Sequence, residues 1–265
     1  MDQLHTWLMS MAGDAEPWAS YAKYLPKLLD GAGLTLQLVV VSGLIGVCLA
    51  IPMALMRVAK SPWVWGLPYA YIFFFRGTPL LVQIFLVYYG LSQFEAIRDL
   101  GWLWDEVLSQ PYWCAIIAFT LNTTAYIAEL FRGAIQSVPR GEVEAAQAIG
   151  MNRYQQYRHI ILPRAFGIIL PAYGNEVILM LKGSALASTI TLLDLTGMTR
   201  NVIARTYMSM EFFLLAGALY LLIAGAIILL FRGLEHLYSA QHRQPRLAAK
   251  GLDPQLRDQH LDDPS

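Results

Sequence analysis

An all-α, polytopic membrane protein with five transmembrane helices is the fold class that the sequence predicts, and three observations carry it. The 265 residues are 56% hydrophobic and 14% charged, with a mean hydropathy of +0.44, whereas soluble domains carry about 25% charged residues. Five apolar stretches each reach the roughly 20 residues that an α-helix needs to cross about 30 Å of hydrocarbon. These stretches are far longer than barrel strands and do not alternate. Only helices and closed barrels satisfy their backbone groups inside lipid, so helices are predicted.

In chain order, residues 1–30 contain Asp2, Asp14, Glu16 and Asp30 and lack the basic start and apolar run of a cleaved leader. Trp7, Trp18, Tyr21 and Tyr24 suit a segment at headgroup level, so 1–30 is expected to be extracytoplasmic and interfacial. The spans are expected at about Gly33 to Met56, Ala70 to Leu91, Tyr112 to Phe131, Ala165 to Leu193 and Phe212 to Phe231. Arg76-Gly77-Thr78-Pro79 interrupts the second. The fourth is expected to break at Pro171 and again at Lys182-Gly183-Ser184. A transmembrane domain over 31–235 therefore includes a polar loop at 139–163 and is followed by a polar tail, 236–265. Beyond about Gln241 the tail has too little apolar surface to order itself.

Five spans put the two ends on opposite sides. One set of connections holds Arg57 and Lys60, then Arg132, Arg140, Arg153, Arg158 and Arg164, then Arg232, Arg243, Arg246, Lys250 and Arg257. The opposite set holds Lys23, Lys27, Arg98, Arg200 and Arg205, with Glu95, Asp99, Asp105 and Glu106 in the 92–110 loop. The richer set is predicted to be cytoplasmic, with the N-terminus periplasmic and the C-terminus cytoplasmic.

A formal net charge of zero argues against nucleic acid as a partner. Cys48 and Cys114 lie in apolar runs and read as small buried hydrophobes, so neither a disulfide framework nor a zinc site is expected. No nucleophile–base pair or metal cluster stands out, and the Gly-x-x-x-x-Gly-Lys-Ser/Thr phosphate loop is missing. Catalytic residues and bound metal are therefore not expected, and energy from ATP would have to come from another polypeptide.

The loop between the third and fourth spans is the most informative segment. Pro139-Arg140-Gly141 turns the chain, and Glu142 to Ile149 holds good helix formers with acids in the first turn, where the helix dipole favours them. Gly150 suits the left-handed residue that ends a helix. Asn152 with Gln155 reads as a capping box opening a second helix. Pro163 falls where the fourth span starts, a position at which a missing N–H costs no hydrogen bond. The expected form is helix, tight turn, helix across the membrane face. Ala145, Ala146 and Ala148 would offer a low surface over which a partner can approach closely; the alternative is an ordinary surface loop.

Glu144-Ala145-Ala146, three residues, Gly150, nine residues, then Ile160, Ile161, Leu162 and Pro163 resembles, at every position, the coupling motif of ATP-binding-cassette (ABC) importer permeases. Phe75 to Leu80, Thr120 to Tyr126 and Pro171 to Glu176 are similar to stretches of the polar amino acid subfamily. The resemblance covers about residues 25 to 235 and is nearest to the "M" permeases for histidine, lysine, arginine and ornithine. It implies a type I importer permease fold, an inner-membrane location and no ATP hydrolysis in this chain. It also implies a second permease of similar fold, two cytoplasmic ATPase subunits that bind ATP and Mg, a periplasmic amino-acid-binding protein, and surrounding lipid. Glu144, Ala145, Ala146, Gly150, Ile160, Leu162 and Pro163 would couple to the ATPase, with no cofactor in this chain. The competing reading is a secondary amino acid carrier driven by an ion gradient, which no internal repeat supports; a membrane-bound scaffold or sensor would need a sizeable soluble domain.

Polar groups inside the spans are candidates for the translocation path, because a charge at the bilayer centre usually faces protein or a water-filled route. Glu129 can instead pair with Arg132. Asn175, Glu176, Lys182 and Ser184 lie in the fourth span. Residues 176 and 182 are separated by roughly 240° around a straight helix, so they are not expected to bridge. Glu176 is expected to line the path and meet the cationic group of a basic amino acid, the alternative being a structural pair. Arg76 and Thr78 sit at the break in the second span. Either a helix begins at Pro79 near the inner interface with Arg76 reaching outward, or the break shapes the inner end of the path.

Overall fold

The computed structural model describes residues 18–242. The expectations for Asp2, Trp7, Asp14 and Glu16, and for the tail with Arg243, Arg246, Lys250 and Arg257, concern residues outside this range. Among the described residues there are helices and turns and no strand. Helix α1 (Trp18–Arg57) starts well before the apolar run at about Gly33, so residues 18–30 continue the first span as one helix. Next come α2 (Pro62–Gly77) and α3 (Leu80–Phe85), the latter prolonged by a π turn and a 3₁₀ turn to Gln93. The short α4 (Glu95–Arg98) precedes α5 (Pro111–Gln136). The polar loop holds α6 (Arg140–Ala148) and α7 (Arg153–Gln156), which runs through a π turn into α8 (Leu162–Gly183) and a 3₁₀ segment to Ile190. Helices α9 (Leu195–Thr206) and α10 (Ser209–His242) complete the described chain.

Among the described residues four helices are long and apolar enough to cross a membrane, and α2 with the α3 segment makes a fifth crossing if the pair, bent by 106° at its break, is counted as one. Helices α2 and α5 open on proline, at Pro62 and Pro111, where no intrahelical donor is lost, whereas Pro163, expected at the start of the fourth span, lies inside the continuous helical run Arg153–Ile190, just after its π turn. Pro171 does not break the fourth span as expected, because α8 passes through it. Neighbouring helices and small local adjustments accommodate a proline inside a membrane helix. At Gly183–Ser184 the chain does change, tightening from α to 3₁₀ geometry.

Helix α5 is the axis of the bundle: 67% of its apolar window is buried, against 6% for α10 at the periphery. Toward one end, Ala50, Ala54, Ile72, Phe131, Ile135, Ile161 and Ala165 form a core that also receives Val143 from the polar loop. Toward the other, Leu38, Ile84, Cys114, Phe119 and Ile190 pack together, and Leu28, Leu195, Val202 and Phe212 seal α1, α9 and α10. Buried Asp194 caps α9, accepting from the Gly197 and Thr196 amides, while Thr35 on α1 accepts from the Leu195 amide. Two places hold the residues that the sequence marks as functional candidates, the 139–163 loop and the middle of the span bundle.

Candidate functional site

The polar loop is built by local signals. Helix α6 ends with Gly150 at φ +81°, as a left-handed residue should. The Met151 amide donates back to the Ala146 carbonyl at 3.0 Å and the Gly150 amide to Gln147 at 2.9 Å, the paired bonds of a Schellman ending. The capping box is complete: the Gln155 amide donates to Asn152 Oδ1 and the Asn152 amide to Gln155 Oε1, both at 2.9 Å. Arg164 locks the first helix to the start of α8, donating twice to the Glu142 carboxylate at 2.9 and 2.7 Å. The Tyr238 hydroxyl on α10 donates to the Pro163 carbonyl.

These contacts set which motif residues face outward. Glu144, Ala145, Ala148 and Gly150 are exposed, and Ile149 is 74% exposed. Ala146 departs from the expected open alanine surface: it is buried in the wall of a groove, while Val143, one helical turn away, packs α6 against the bundle. Ala145, Ile149, His159, Ile160 and Pro163 line a groove of about 440 Å³. Leu162 lies on the other side, in a separate groove.

The second place is a cavity of about 470 Å³ at the break between α2 and α3. It is lined by Arg76, Thr78 and Pro79, by Asn122 and Tyr126 near the middle of α5, and by Glu176 and Met180 of α8. Residues at the middle of the central span fix its depth, so Arg76 is not at the inner interface as one reading expected. The break is held from within. Buried Gln83 donates to the freed carbonyls of Phe75 (2.8 Å) and Thr78 (3.0 Å) and to Thr78 Oγ1 (2.8 Å). Asn122 donates to Gln83 Oε1 at 2.9 Å and, at 3.4 Å, to the Phe75 carbonyl. A broken backbone persists at membrane depth only when its polar groups find such partners.

Two charges open into this cavity. The Arg76 guanidinium lies over the Tyr126 ring, 5.2 Å from its centre. Glu176 forms no hydrogen bond and no ion pair within 4.0 Å among the described residues. The other path candidates lie elsewhere. Glu129 is held by Arg132 at 2.8 and 2.5 Å, with Arg57 at 3.8 Å, at the loop end of the bundle. Asn175 and Lys182 are exposed and do not line the cavity, and no Glu176–Lys182 bridge forms among the described residues. Ser184 is buried and donates to the Leu181 carbonyl at 2.7 Å. Gln83, Asn122 and Tyr126 were not singled out as site residues. The legible signal was an amide, Gln83, alone in the apolar run Leu80 to Phe85, one helical turn after Pro79.

Residues 46–236 match the family described as binding-protein-dependent transport system inner membrane component. The chain is 47% identical over 227 residues to the octopine transport system permease protein OccM of Rhizobium radiobacter, covering 85% of this chain and 91% of that one. To the histidine/lysine/arginine/ornithine transport system permease protein HisM of Escherichia coli K12 it is 42% identical, covering 81% and 90%. An amino acid ABC transporter crystallised with histidines superposes with a TM-score of 0.73 at 34% identity, over 82% of this chain and 96% of its own. The MetNI methionine ABC transporter in an inward-facing form shares the fold, with a TM-score of 0.65 at 18% identity over 84% and 99%.

Proposed function

Since this chain belongs to the binding-protein-dependent transport system inner membrane components, as a permease of amino acid ABC importers, we propose that it carries a cationic amino acid through the mid-span cavity. The observation that supports this is the pairing, in one cavity, of a guanidinium and a carboxylate that make no salt bridge with each other or with any described residue. A charge without a direct ion pair inside a span is costly. Any amino acid zwitterion offers a carboxylate for Arg76 and an ammonium for Glu176, and a basic side chain adds a second cation for Glu176, so the transported molecule supplies the direct ion pairs that the two side chains do not make. Arginine, ornithine, lysine and histidine fit that chemistry. Relatives whose names specify octopine or nopaline transport are 47–48% identical, which favours an opine as the second reading.

The loop around Gly150 is read as cytoplasmic and as the docking element for one of two ATPase subunits that bind ATP and Mg. A second permease of like fold and a periplasmic binding protein complete the importer. Exposed Glu144, Ala145 and Ile149 would enter the ATPase, while Val143 and the Glu142–Arg164 pair pass its stroke to α8. Because α8 also carries Glu176, that movement reaches the cavity directly. This chain binds no nucleotide in the mechanism; it supplies the path and the lever.

The test is uptake by the assembled importer in vesicles, with arginine, ornithine, lysine, histidine, octopine and nopaline in competition. Glu176→Gln is expected to lower uptake of the cationic substrate at least tenfold, about the cost of one lost charge-assisted hydrogen bond, with assembly intact. Unchanged uptake would remove Glu176 from the path.

A further inference from the structure

We propose that the groove between α7, the inner end of α1 and the start of α8 is a binding site for an anionic phospholipid, with its phosphate held by Arg153 and Arg158. The groove has a volume of about 640 Å³. Its walls are apolar, from Leu55 on α1 and Leu162 and Phe166 on α8, and its rim carries Arg153, Tyr154 and Arg158. Leu55 lies two residues from the end of α1 at Arg57, and Arg153 and Arg158 lie at the start of the helical run Arg153–Ile190, so the basic rim sits at the ends of two spans and Phe166 lies further along one of them. Both arginines are exposed, and no carboxylate lies within 4.0 Å of either among the described residues. Arg158 Nη1 donates to the Tyr154 hydroxyl at 3.2 Å, which holds that guanidinium at the rim. Basic pockets between spans at the cytoplasmic surface suit anionic headgroups, with the chains lying along the apolar wall.

A protein partner fits this groove less well. The face bearing Ala145, Ile149, His159 and Ile160 is a different groove, and Pro163 is the residue that lines both. The lipid groove is walled by apolar side chains of α1 and α8, among them Phe166, which is 40% exposed. Its occupancy would steady α7 and the π turn Tyr157–Ile161, which join the Gly150 turn to α8. The assignment to the cytoplasmic leaflet rests on the loop orientation proposed above; the existence of the site does not.

The assembled importer, purified in mild detergent, is equilibrated with mixed micelles of phosphatidylglycerol and phosphatidylcholine in equal amounts, and the retained lipids are quantified by mass spectrometry. Wild type is expected to retain phosphatidylglycerol in roughly tenfold preference, in keeping with two basic side chains at a membrane surface. Arg153→Gln with Arg158→Gln should lose that preference, and Arg153→Lys with Arg158→Lys should keep most of it. Equal retention of both lipids by wild type would overturn the site. So would a Gln double variant that sheds its ATPase subunits with its lipid preference unchanged, since that outcome makes the arginines a protein contact. Because the lipids are read directly in detergent, failure here is distinct from failure of the transport reading or of the orientation.

Discussion

Gln83 shows how much of this molecule hangs on single amides at depth. Between Gly77 and Leu80 the chain leaves helical geometry, and Pro79 has no N–H to offer. The Gln83 amide then bonds two backbone carbonyls and one hydroxyl, and Asn122 holds its oxygen. Each buried polar group left unsatisfied costs about 1–3 kcal/mol. Gln83→Leu, nearly matched in size, is therefore expected to lower stability by at least about 2 kcal/mol. Thermal unfolding of the purified chain in detergent measures this, and an unchanged midpoint would mean that the amide does not hold the break. At Glu129 the same reasoning leads to a structural role. Arg132 and Arg57 surround it, with Arg57 also stacked 4.9 Å from the Tyr69 ring centre, so it ties α1, α2 and α5 together.

Helix α6 and its turn are governed by backbone conformation. Gly150 sits at φ +81° with nothing within 4 Å of where a Cβ would point, so the obstacle to a side chain there is conformational. Gly150→Ala is expected to strain the turn by about 1–2 kcal/mol. The chain should still insert, while substrate-stimulated ATPase activity of the assembled importer falls; wild-type stimulation would show that the turn angle does not matter. At the opposite end, α9 depends on Asp194. Its burial pushes the carboxyl up to about 6, while the Gly197 and Thr196 amides and the Tyr220 hydroxyl pull it down. A raised carboxyl favours the protonated folded form between about pH 4 and pH 6, so this group's contribution to stability falls as pH rises through that window and is level above it. Asp194→Asn keeps an acceptor for the cap and does not titrate. Relative to wild type, its melting temperature should therefore gain between pH 4 and 6 and run parallel above about pH 7. A constant difference across the whole range would mean that Asp194 does not titrate in it.

For the whole molecule, the decisive quantity is which side of the membrane holds the Gly150 loop. The excess of basic residues on its side is the reason to expect it in the cytoplasm. Ile149, 74% exposed, is a suitable reporter. With Cys48 and Cys114 replaced by Ala, and with the ATPase subunits left out so that the position is uncovered, Ile149→Cys in intact cells should resist a membrane-impermeant thiol reagent and react once the inner face is opened; labelling from outside would reverse the topology. Charge reversal at the exposed Glu144 carries the mechanical side of the reading. Glu144→Lys should stay in the membrane with its partner permease, while uptake falls to background and ATP hydrolysis no longer responds to the loaded binding protein. Full uptake by that variant would count against the lever.

Local physics made a large part of this legible from residues alone. Apolar runs of sufficient length predict spans, and the left-handed preference of Gly150 and the Asn152–Gln155 box predict the loop, because each depends on neighbours a few positions away. Other features depend on helix rotation and crossing, which no short stretch encodes. The tertiary structure alone decided that α2 and α3 are bent by 106° at their break, that Ala146 is buried, and that Glu129 is paired while Glu176 faces Arg76 across a cavity. It also decided that Asn175, next to Glu176 in sequence, is exposed and does not line that cavity. Adjacent residues differ by about 100° around an α-helix, so a polar side chain's role at depth is set by the helices packed around it.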